Sequence, residues 1–140
     1  MIPITDISKK AIFAVLIVLV IAICLFFSIN NIIGRKPFKN LQEVTSATVT
    51  LTPPGETVQI VELSELLDYL DDVVIYNKDN SYTEYDGQGV VFNLILSSGT
   101  QMAINAYNPF VIIDGVGYRT KYEPCEALSS YANKLLNSEK

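Results

Sequence analysis

The sequence predicts an α+β fold: one N-terminal transmembrane helix, followed by a small domain with an antiparallel sheet of about five to seven strands and two helices. Three observations carry this prediction. The run Ala11–Ile29, AIFAVLIVLVIAICLFFSI, is nineteen residues long and holds no charge, proline or glycine. At about 1.5 Å per residue it makes a helix of about 28 Å, close to the hydrocarbon thickness of a bilayer. Downstream, several segments alternate apolar and polar residues with period two, and two others place apolar residues at helical spacing. The chain divides into an N-terminal tail (1–10), an anchor (11–33), a linker (34–40) and an extramembrane domain (41–140).

The elements follow in order. Thr45 to Thr52 alternates, with Ala47, Val49 and Leu51 on one face and Ser46, Thr48 and Thr50 on the other, as a half-buried strand does. Pro53-Pro54-Gly55 ends it, and Thr57 to Val61 reads as a second strand. Leu63, Leu66, Leu67 and Leu70 stand at i, i+3, i+4 and i+7, the core stripe of a helix, with Ser64 its expected N-cap. Val73 to Tyr76 is a short apolar run and an expected strand. Val90 to Ser97 puts Val90, Phe92, Leu94 and Leu96 on one face, and Ser98-Gly99 turns the chain into Gln101 to Tyr107. Phe110 to Ile113 and Val116 to Thr120 flank Asp114-Gly115, the two-residue spacing of a type I′ hairpin. The last helix is expected to open at Pro124, with Cys125, Leu128, Ala132 and Leu135 facing the core.

Charge excludes some partners. The chain has 10 Lys and Arg against 15 Asp and Glu, a net charge of −5, and no histidine. Between Asn40 and Tyr118 the only cation is Lys78. Such a surface repels phosphate backbones, so no nucleic-acid partner is expected. The absence of histidine removes the commonest general base and metal ligand, and no cofactor is expected. Cys24 lies in the apolar run and Cys125 near the other end, which argues against an intramolecular disulfide.

The N-terminus reads as an uncleaved signal-anchor. No A-x-A site follows the apolar core, and Ile23 before Cys24 does not suit a lipoprotein. The bilayer is thus an expected partner through Ala11 to Ile29. Lys9 and Lys10 abut the core, whereas Arg35, Lys36 and Lys39 lie farther beyond it, which favours an inside tail and a domain outside the cytoplasm. Arg35, Lys36, Phe38 and Lys39 then form an interfacial collar, and the short linker keeps the domain near the membrane.

Few residues offer chemistry. Glu65, Asp68 and Asp72 line one side of the first domain helix, an acidic face for a cation or basic partner, or a solvated face opposite the leucines. Asn77 to Asp86 is rich in oxygen ligands, but its sixth position is Tyr82, where a calcium loop needs glycine. Tyr82 and Tyr85 sit among polar residues, as partner-contacting rings or as sheet packing. Cys125 is expected to be a buried, inert thiol. An enzyme would need Asp/Glu pairs or Cys125, and no nucleophile motif, Walker loop or metal-ligand spacing supports one.

The segments VVIYNKDNSYTEYDGQGVVF and AYNPFVIIDGVGYRTKYEPCEAL resemble a family of short, mostly single-pass membrane proteins of Gram-positive bacteria, whose domain is classed as one of unknown function. The resemblance runs from about Phe38 to Leu136, and NPF, DGVGY and YEPCEAL are its most specific parts. It implies a bacterial cell-envelope protein and no activity. The expectation is a membrane-anchored, extracytoplasmic binding or accessory domain that recognises a protein, peptide or envelope component. The alternatives are an envelope enzyme and a purely structural small membrane protein.

Overall fold

The alternating rows pair into a single antiparallel sheet in the computed structural model, which describes residues 4–52, 55–85 and 89–138. The described residues form two units, 1–33 and 34–140. The first is the helix α1 (Ile4–Ile33), which contains a 22-residue stretch, Ser8–Ile29, of mean hydropathy 3.3 with none of it buried. Apolar side chains are exposed on every face of that stretch, so this helix is long and apolar enough to cross a membrane.

In the second unit the strands are β1 (Val44–Thr52), β2 (Glu56–Gln59), β3 (Ile75–Lys78), β4 (Gly89–Leu96), β5 (Gln101–Tyr107), β6 (Phe110–Ile113) and β7 (Val116–Thr120). They order as β2-β1-β4-β5-β6-β7-β3. Two helices complete the unit, α2 (Leu63–Asp71) and α3 (Tyr122–Ser138), with a 3-10 turn at Ser81–Glu84. Pro53 and Pro54, expected to end β1, lie outside the described residues.

The first face of the sheet carries the main core. Ala47 and Val49 of β1, Val90, Phe92, Leu94 and Leu96 of β4, Ile104 and Ala106 of β5 and Val111 of β6 are buried there. They meet Leu66 and Leu70 of α2 and Cys125, Leu128, Tyr131 and Ala132 of α3. Side chains of this size stabilise the fold by about 1.5–3 kcal/mol each for the larger ones. Tyr131 stacks on Tyr69 with ring centroids 4.7 Å apart and runs parallel to Phe92 at 6.3 Å.

The hairpin between β6 and β7 has the expected turn. Asp114 and Gly115 both adopt positive φ, 49° and 86°, the type I′ geometry that Asp-Gly favours. Asp114 Oδ1 also accepts the Ala103 N–H at 2.8 Å, so the turn is tied to β5.

Four details differ from the sequence reading. α2 begins at Leu63 with Glu62 at the N-cap position and no side-chain cap, so Ser64 lies inside the helix. β3 sits two residues later than the apolar run Val73 to Tyr76, because Val73 is used in the core below the sheet. α3 opens at Tyr122, which makes Pro124 its third residue; the first four amides of a helix have no intrahelical acceptor, so proline is tolerated there. The segment 34–40, expected as a linker, belongs to the domain. Arg35 N donates to Ile75 O and Ile75 N to Arg35 O, both at 2.9 Å. Phe38, expected in an interfacial collar, is only 5% exposed and packs in the core, where burial of its ring outweighs an interfacial position.

Candidate functional site

The second face of the sheet explains the other half of the apolar pattern. Phe110 to Ile113 is apolar at every position, so β6 needs cover on both sides. Phe110 and Ile112 point away from the helices and are nonetheless buried. Their cover is the segment 79–85, which leaves edge strand β3 and folds back over β7 and β6.

That segment is pinned at several points. Asp79 N donates to Gly117 O at 2.8 Å, and Gly117 N donates to Asn80 Oδ1 at 2.8 Å. Tyr82 Oη donates to Gly115 O at 2.9 Å. Gly117 is the close approach: a Cβ there would stand 2.6 Å from Tyr82 Cδ1 and would collide with Asp79 O. The Arg119 Nε–Asp79 Oδ2 ion pair is 2.8 Å long, and the guanidinium lies 4.8 Å from the Phe110 ring centroid. Hydrogen bonds from Ser81, and after them the one from Arg119, hold the Asp79 carboxyl down at about 2.

Beneath Tyr82 and Tyr85 this arrangement leaves a pocket of about 270 Å³. Its floor is Val91, Asn105, Tyr107 and Ile112, the residues of β4, β5 and β6 that alternate with the core positions. Tyr82 is half-buried, and its ring meets that of Phe110 at an interplanar angle of 61° with centroids 6.3 Å apart. Tyr85 is 56% exposed, and its centroid is 5.9 Å from that of Phe110. None of the described lining residues carries a charge. Asn105 Oδ1 is buried and has no hydrogen-bond partner, a cost of about 1–3 kcal/mol for such a group. Gly89 makes room for this amide, because a Cβ there would stand 2.9 Å from Oδ1.

The acidic residues form a separate place. Glu65 and Asp68 on α2 and Asp72 at its C-cap are exposed and, with Tyr69, line a depression of about 230 Å³. α2 packs on the first face and the tyrosine pocket opens on the second, so the structure does not bring the two groups together. Among the described residues, no three His, Cys, Asp or Glu side chains are arranged to hold a metal ion. A third cleft, of about 420 Å³, mixes Lys36 and Lys121 with Asp72 and Glu123 around Tyr69 and Pro124. Its charges are of both signs.

Cys125 is fully buried on α3, and burial, followed by the charge of Glu126, pushes its thiol up to about 12. A thiol in that state is protonated and unreactive at neutral pH. The buried Tyr131 hydroxyl, which makes no hydrogen bond, is likewise raised to about 12 by burial and then by Glu65.

Sequence reasoning selected Tyr82 and Tyr85 but missed Asn105, Tyr107 and Gly89. The alternation of Ile104 and Ala106 with Asn105 and Tyr107 is the signal that could have placed Asn105 and Tyr107 on the outer face. Nothing local said that residues 79–85 would cross above them. Comparisons of the chain with protein-family models, with curated proteins and with solved structures give no match.

Proposed function

We propose that this chain is a membrane-anchored binding domain of the bacterial cell envelope, which recognises a protein, peptide or envelope component through the pocket beneath Tyr82 and Tyr85. The observation that carries this reading is the pocket itself: three tyrosines and an unpaired amide oxygen among described lining residues that carry no charge. Tyrosine supplies broad contact area and a hydroxyl at low entropic cost, which suits recognition. The length and apolarity of Ser8–Ile29 support an uncleaved anchor. Lys9 and Lys10, directly before its apolar run Ala11–Ile29, support an inside tail and an extracytoplasmic domain. The resemblance to short envelope proteins of Gram-positive bacteria agrees with that placement.

The test is site-specific photo-crosslinking in native membranes. A crosslinking residue at position 85 is expected to give a discrete adduct, and the same residue at Tyr122, which is equally exposed on α3, is expected to give none. Equal labelling at both positions, or none at 85, refutes the reading. Protease treatment of intact spheroplasts tests the orientation: digestion of the domain from outside supports it, and protection until lysis reverses it.

A further inference from the structure

Resting on that reading, we infer that the group entering the pocket is a neutral sugar ring of a glycan. Four observations select it. The described lining residues carry no charge in a chain of net charge −5, so they offer no counter-charge to an anionic or a cationic group. The volume, about 270 Å³, is just below the range of pockets that take drug-sized ligands, and suits a single ring. Tyr82, Tyr85 and Tyr107 all line the pocket, and the negative quadrupole of an aromatic face attracts the weakly positive C–H face of a pyranose. The half-buried Asn105 lines the same pocket with an Oδ1 that lacks a hydrogen-bond partner, and its side chain carries both donor and acceptor atoms for a sugar hydroxyl or acetamido group.

An extended peptide fits less well. Peptides that add to a sheet draw their affinity from main-chain hydrogen bonds at an open edge. Here the floor is made of β4, β5 and β6, which are inner strands flanked by β1 and β7. Their backbone groups are already committed to one another and to those neighbours. Only side chains remain to contact a ligand, and side-chain amides with aromatic faces are the usual chemistry of sugar recognition.

The experiment is a titration of the full chain in lipid nanodiscs free of glycolipid, followed by tyrosine emission. The chain has no tryptophan, so that emission is not masked. The probes are an N-acetylglucosamine tetramer, a galacturonate tetramer and a capped, uncharged tetrapeptide. The neutral saccharide is expected to give a saturable change that weakens about fivefold or more in Y85A. Y85F should retain most of the binding, and Y122A all of it. If the saccharide gives no saturable signal, or binds Y85A as well as the parent chain, the inference is overturned. If the tetrapeptide alone binds, with the same dependence on Tyr85, the inference falls while the binding reading stands. If no probe binds and crosslinking from position 85 is also blank, both fall. Tighter binding of galacturonate than of the neutral tetramer also overturns it.

Discussion

Replacing Gly117 with alanine tests whether the segment 79–85 is wedged against the sheet as described. The added Cβ would stand 2.6 Å from Tyr82 Cδ1 and 2.9 Å from Cε1, and would collide with the Asp79 carbonyl. The ring can swing away, but the carbonyl belongs to backbone that is hydrogen-bonded to Gly117 and cannot yield without losing that bond. Overpacking of this kind costs about 1–3 kcal/mol. Near the middle of that range, at about 4 °C per kcal/mol for a domain of this size, the midpoint of thermal unfolding falls by about 8 °C. Near-UV circular dichroism of the full chain in nanodiscs reads it, since displaced tyrosines change that signal directly. The saccharide titration should weaken as well, because Tyr82 forms part of the roof. A midpoint within about 2 °C of the parent, well under the shift expected from that strain, refutes the wedge.

Further outcomes follow from other contacts. Asp79 has a native carboxyl at about 2 against 3.8 for the free side chain, so its stabilisation is present in full above the unfolded value and is lost as pH falls through the native one. D79N should therefore flatten the acid limb of the stability profile between about pH 4 and pH 2, as measured by denaturant unfolding at each pH. Cys125 should resist alkylation in the native chain at neutral pH and react at once in denaturant; mass spectrometry that found native modification at this residue would contradict its burial. D114A should destabilise by about 1–2 kcal/mol, because alanine is poor at positive φ and cannot accept the Ala103 amide, whereas D114N should cost less. Chemical denaturation of both variants decides this. Leu66 is fully buried beneath the sheet, so L66A should cost about 2–5 kcal/mol in the same assay.

What was legible in the sequence was whatever depends on neighbours along the chain. β5, β6 and β7 stand where alternation and the Asp-Gly turn put them, since two-residue hairpins fix register locally. The inner face of β4 and the stripe of α2 were equally plain, because period and burial coincide there. The helix starts were less so: α2 forms without a side-chain cap at Glu62, and α3 takes Tyr122 and Glu123 into its first turn ahead of the proline. The site was half legible. Tyr82 and Tyr85 stood out by type, but Gly117, Gly89 and Asn105 acquire meaning only from residues far away in sequence. The apolar β6, with no polar face, was the one local hint that a second layer existed. The segment 34–40 was misjudged because its charges resemble a membrane flank, while Phe38 and the Arg35–Ile75 pairing are settled by tertiary contact.

The order β2-β1-β4-β5-β6-β7-β3 makes the chain pass from one edge of the sheet to the other and back between β2 and β4. The outward passage contains α2 and runs under the first face; the return contains residues 79–85 and runs over the second. The pocket floor comes from consecutive hairpin-linked strands, whereas its roof is delivered by the return passage alone. Floor and roof are thus assembled by contacts of very different range, and the longer-range ones carry the greater entropic cost of closure. Partial loosening should release the roof while the meander of β4 to β7 stays paired. Ligand recognition would then be lost before the sheet is, making the pocket a sensor of whether the fold has been completed.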